Sequence, residues 1–105
     1  MAGIRRGTTP TIVIHIKNPD MDLNTFDVCH ITIANVGGFN KKVFENPEIN
    51  NEEKTLSIDL SQEDTLAYES GNIEIQVKVK LNTGKVIASE IVITTMKRIL
   101  EEAIL

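Results

Sequence analysis

Asn72–Thr95 reads NIEIQVKVKLNTGKVIASEIVITT, and its alternation decides the fold. In the first arm Ile73, Ile75, Val77, Val79 and Leu81 fall on one side, with Glu74, Gln76, Lys78 and Lys80 on the other. A period of two with one apolar side is the pattern of a β-strand that buries one face. Asn82-Thr83-Gly84 then marks a tight turn. Its length matters, because a slip of one residue sends every later side chain to the other face. A three-residue loop with Gly84 in the left-handed conformation pairs Val79 with Ile87, Val77 with Ser89, Ile75 with Ile91 and Ile73 with Ile93. That register leaves Val86, Ala88, Glu90 and Val92 on the opposite, mixed face.

Working outward, composition agrees with strands. The apolar content is carried by fifteen isoleucines and eight valines against four aromatic residues, and β-branched side chains suit a pleated surface. A chain of 105 residues is expected to form one domain over 1–105 and to bury roughly two thirds of its unfolded surface. The net charge of -4 gives no electrostatic reason to seek nucleic acid. Arg5 and Arg6 therefore read as part of a solvated, flexible arm over 1–7. The lone Cys29 cannot form an internal disulfide and reads as a small core residue. No apolar run approaches the roughly 20 residues of a membrane span, and MAGIRRGTTP lacks the apolar core of a signal peptide. The expected site of synthesis and residence is the cytoplasm.

Thr8–Lys17 alternates Ile12, Ile14 and Ile16 against Val13, His15 and Lys17, a first strand whose Pro10 belongs at an edge. Asp20, Asp22 and Asn24 imitate the start of a calcium loop, but Thr25 stands where the glycine belongs and Ile31 where the glutamate belongs, so a solvated acidic loop is expected. Asp27–Val36 and Phe39–Glu45 form a hairpin around Gly37-Gly38. Cys29 and His30 are adjacent and point to opposite faces of that strand, which argues against a shared metal. Asn46–Glu53 reads as a loop and Lys54–Leu60 as a strand. Ser61 with Asp64 three residues on is a helix-start signature, predicting one helical turn over 62–67. Met96, Ile99, Leu100, Ala103 and Ile104 recur at helical spacing and predict a C-terminal helix over 96–105.

Leu60-Ser61-Gln62-Glu63-Asp64-Thr65-Leu66-Ala67-Tyr68, followed by a long strand, resembles the corner between strands E and F of immunoglobulin-like sandwiches. The resemblance implies that Tyr68 hydrogen-bonds back to the chain; with the capping pair Ser61 and Asp64 and the turn glycine Gly84 it makes up the expected structural positions. The expected fold is all-β, an immunoglobulin-like antiparallel sandwich of six to seven strands, without the cysteine pair and tryptophan of antibody domains. A second resemblance covers more of the chain. Ile4-Arg5-Arg6-Gly7-Thr8-Thr9-Pro10-Thr11, Leu60–Leu66, Gln76-Val77 and Ala88-Ser89-Glu90-Ile91 resemble a family of small phage and prophage proteins found near tail or baseplate genes of Gram-positive bacteria. It implies a non-enzymatic virion or assembly role.

No serine, cysteine or carboxylate constellation defines a catalytic centre in the sequence, and no cofactor, metal or small-molecule motif stands out. A ligand- or carbohydrate-binding sandwich is the alternative, although four aromatics without tryptophan offer little stacking surface. The second hairpin arm and the apolar stripe after it need a cover, which is either the helix folding back over its own sheet or another subunit. Val86, Ala88, Glu90, Val92, Met96, Ile99, Leu100 and Ile104 are therefore the expected interaction residues, contacting another copy or other phage structural proteins.

Overall fold

The computed structural model describes residues 3–17, 20–89 and 91–104. Its strands are β1 (Ile4–Arg5), β2 (Thr11–His15), β3 (Phe26–Asn35), β4 (Phe39–Glu45), β5 (Glu48–Asn50), β6 (Thr55–Asp59), β7 (Gly71–Leu81), β8 (Val86–Ala88) and β9 (Val92–Lys97). One helical turn, α1 (Gln62–Leu66), joins β6 to β7, and a 3-10 turn occupies Leu23–Thr25. The larger sheet has the order β1-β9-β7-β3-β4, with β8 also on β7, and the smaller is β2-β6-β5. In immunoglobulin strand letters this is G-F-C-C′ against B-E-D. β1 joins the larger sheet beside β9.

The alternating apolar residues of both sheets meet in one core. Ile12, Leu56 and Ile58 of the small sheet pack with Ile31, Ile33, Ile73, Ile75, Val77 and Val79 of the large one. β7 lies between β3 and β9, which is why its apolar face is the most regular in the chain. The hairpin turn is as expected: Gly84 has φ +89°, its N–H donates to the Leu81 carbonyl at 2.9 Å, and Val79 faces Ile87.

Beyond Ser89 the register departs from the expectation. Ile75 pairs with Val92, Glu74 with Ile93 and Ile73 with Thr94, one residue out of step with Val79 and Ile87. The cause is local. The Ser89 N–H donates to the Val77 carbonyl, but the Ser89 hydroxyl accepts the Val77 N–H at 3.0 Å, in place of a backbone carbonyl. The Ser89 carbonyl instead accepts the Gln76 side-chain amide at 2.9 Å. An extra residue enters the arm here, as in a β-bulge, and the faces of β9 exchange. Thr94 and Met96 are buried, while Ile91 and Ile93 are exposed.

Three further expectations are corrected. The segment 1–7, read as a flexible arm, contains β1, which pairs in parallel with β9 through Ile4 and Met96; Ile4 is buried, so an all-antiparallel sandwich does not hold. The loop over 46–53 contains β5, whose Glu48, Ile49 and Asn50 pair with Ser57, Leu56 and Thr55. The C-terminal helix over 96–105 is absent among the described residues: Met96 and Lys97 end β9, and 98–104 carry no helix. The helical spacing of Met96 with Ile99 was coincidental, because Met96 serves the sheet. A stripe without it is too short to hold a helix that is marginal in isolation. Glu90 and Leu105 lie outside the described residues.

The shifted register makes a measurable contrast. Met96→Ala is expected to cost about 2 to 4 kcal/mol by cavity formation, whereas Ile93→Ala should stay within about 0.5 kcal/mol, as an exposed substitution does. Urea denaturation of the two variants checks this, and equal losses would contradict the bulge.

Candidate interaction surface and the corner that positions it

The corner between β6 and β7 begins with a reciprocal cap. The Asp64 N–H donates to the Ser61 hydroxyl at 3.0 Å, and the Ser61 N–H donates to the Asp64 carboxylate at 2.8 Å. Two free amides of α1 are thereby satisfied. Lys42 of β4 forms an ion pair with the same carboxylate. Burial raises the Asp64 carboxyl, but the hydrogen bonds from Lys42 and Ser61 and the Lys42 charge outweigh it and hold the group below its ordinary value.

Tyr68 follows α1 and is fully buried. Its hydroxyl donates to the Ile33 carbonyl at 3.0 Å. The corner bond expected of Tyr68 therefore runs back to β3. Ile33 borders the irregularity in the β3–β4 ladder between Ile33 and Asn35. Burial, then the Asp64 charge, pushes the Tyr68 phenol well above its usual range, so it remains a donor. Asn35 secures the same junction: its side-chain amide donates to the Glu69 carbonyl, and its side-chain oxygen accepts the Glu69 N–H.

Arg6, expected in a solvated arm, closes the far side of the corner. Its Nε donates to the Tyr68 carbonyl at 2.6 Å and its Nη2 to the Leu66 carbonyl at 3.1 Å. A cation here satisfies carbonyls that the end of a helical turn leaves free. Nη1 pairs with Glu102, and Arg5 Nη1 donates to the Arg98 carbonyl at 2.7 Å. The segment after β9 thus crosses the corner. Gly7, at φ +74°, fits between Leu66 and Ile99, whose methyl atoms would lie 3.4 and 3.5 Å from an added Cβ.

These contacts distribute the expected interaction residues unequally. Met96 is in the core at 1% exposure and is not available to a partner. Ile99 is half-buried against the corner. Val86, Ala88 and Val92 are exposed, as are Leu100 at 88% and Ile104 at 54%. The sequence reading missed Ile91 and Ile93, which the bulge turns outward. Ser89 was the signal, since its hydroxyl can replace a ladder acceptor.

Beside the bulge lies an apolar cleft of about 380 Å³, with Ile14, Ile16 and Phe26 facing Val79, Ile87 and Val92 across it. It opens where β2, paired only with β6, faces β8. Among the described residues no group of three or more histidine, cysteine or acidic side chains is placed to hold a metal. Asp22 caps the 3-10 turn by accepting the Asn24 N–H, while Leu23 inside the expected acidic loop is fully buried. Cys29 is buried and its thiol is pushed up to about 11 by that burial, which leaves little of the reactive thiolate near neutral pH.

Tyr68→Phe, which removes the phenol donor from the Ile33 carbonyl, is expected to cost about 1 kcal/mol in chemical denaturation; an unchanged midpoint would refute the corner bond. Asp64, with a lowered folded-state pKa, adds stability that is fully present above the unfolded value and lost as pH falls through the folded one. The stability difference between wild type and Asp64→Asn should therefore be largest near neutral pH and narrow as pH drops below about 4. A difference that stays constant into acid would contradict the assigned role of the carboxylate.

No protein-family model matches the chain, and no curated protein and no solved structure matches it.

Proposed function

We propose that this chain is a non-enzymatic structural or assembly component of a phage or prophage, of the tail or baseplate accessory kind, acting through protein–protein contacts. The observation that carries the contact role is the run of exposed apolar residues in and beside β9 and in the segment after it. Ile93 is 60% and Leu100 is 88% exposed, with Ile91, Val92 and Ile104 also open to solvent. Ile91 and Ile93, two apart on one strand face, count for more than any single residue, because neighbouring exposed apolar groups mark contact sites more than scattered ones do. The phage setting comes from the resemblance of the short motifs at 4–11, 60–66, 76–77 and 88–91, and with it the virion as a destination after synthesis.

A second reading, a ligand-binding sandwich, is favoured by the cleft beside β8. Its lining is largely aliphatic, with Phe26 as its aromatic member, which suits an apolar group better than a sugar that stacks on an aromatic platform.

The genes beside this one are expected to encode tail or baseplate proteins, and the protein to co-sediment with particles or tails from an induced lysogen. Ile93→Asp combined with Leu100→Asp should release it from those fractions without lowering its melting temperature. Absence of the wild-type protein from every particle and tail fraction would overturn the phage reading. Retention of the double variant would overturn the assigned surface.

A further inference from the structure

Among the described residues β4 is the end of the larger sheet, bonded to β3 on one side only. The direction of its backbone groups follows from one contact: the Asn46 N–H donates to the Cys29 carbonyl on β3. Alternation along the regular part of the ladder, down to Lys42, then directs the polar groups of Phe44 and Lys42 to β3 and those of Val43 and Glu45 to the open side. The side chains of Lys41, Val43 and Glu45 are all exposed. An edge of this kind is a template for another strand.

The sequence of the edge selects its partner. In antiparallel self-pairing about Val43, Val43 faces its own copy, and Lys41 faces Glu45 of the second chain, twice by symmetry. Val43 and Glu45 have their backbone groups pointing outward, and the exposed Lys41, at the register shift of the β3–β4 ladder, adds the opposite charge. Pairing about Lys42 would instead set like charges opposite each other, which is unfavourable across strands. Pairing about Phe44 would bring Lys41 against Pro47, which has no N–H to give. Lys42 is already committed to Asp64. Glu45 lies 3.7 Å from His30 Nε2, with its side chain 67% exposed. Beside it an open groove of about 550 Å³ is walled by Glu48 and Asp59, an acidic surround for an incoming lysine.

We infer that β4 is a homodimerisation edge, joining the larger sheets of two copies of this chain around a two-fold axis at Val43. The pairing is isologous, as a two-fold contact must be, and it uses an edge other than the β8–β9 surface, so neither assignment depends on the other. A short strand pair lies at the low end of interface size, and the dimer is correspondingly weak.

Sedimentation velocity on the full chain between about 10 μM and about 1 mM tests it. The wild type should show a concentration-dependent dimer. Lys41→Glu and Glu45→Lys should each weaken that dimer roughly tenfold or more, by setting like charges opposite one another at two symmetric places. The double variant Lys41→Glu/Glu45→Lys should restore it. Thermal melts confirm that each exposed substitution leaves the fold intact. A wild type that stays monomeric throughout, a dimer unmoved by either single reversal, or a double variant that fails to recover would each overturn the inference. Ile93→Asp with Leu100→Asp should leave the dimer unchanged; loss of the dimer in that variant would place it on the other surface.

Discussion

The hydrogen bond from the buried Tyr68 hydroxyl to the Ile33 carbonyl fixes where the chain passes from the small sheet into the large one. Burying an aromatic side chain contributes roughly 3 kcal/mol, and a stranded hydroxyl would remove about 1 to 3 kcal/mol of that. The bond therefore decides whether Tyr68 stabilises the core at all. Its position depends in turn on the Ser61–Asp64 cap at one end of α1 and on Arg6 at the other. Arg6 can reach only because β1 is paired beside β9. Residues far apart in sequence thus meet at one corner, which orients the long strand β7.

What could be read from the sequence was what one strand states by itself. The face of β7, the left-handed Gly84, the turn over 62–67 and the capping pair are local patterns with local causes, and each stands in the fold as expected. The misses share a different character. β1 is two residues long and has no internal pattern; it exists because β9 offers an edge. β5 likewise forms on β6 from a segment rich in turn residues. Leu23 enters the core from an acidic loop because its N–H finds Asn51 Oδ1, a partner that no local window contains.

The exposed apolar residues around β9 were half legible for a related reason. An alternating strand states which residues share a face but not where an extra residue enters. Ser89 supplies a hydroxyl acceptor to Val77, and from that point Ile91 and Ile93 turn out while Thr94 and Met96 turn in. Read without the bulge, the arm places its isoleucines in the core and its valine outside. Both the absent helix and the exposed isoleucines follow from Met96 belonging to the sheet.

The corner and the segment crossing it are held with unequal strength. Arg6 is shielded, and its bonds to the Leu66 and Tyr68 carbonyls lie in part-buried surroundings. Its pairing with Glu102 leaves that carboxylate 60% exposed, and an exposed ion pair contributes at most about 1 kcal/mol. Ile99 adds a half-buried contact, but Leu100 and Ile104 gain little by lying where they do. The segment is thus weakly attached, and the Arg6 bonds to the Leu66 and Tyr68 carbonyls do not depend on it. The segment that carries the most exposed apolar side chain, Leu100, is also the one whose movement costs the sandwich least.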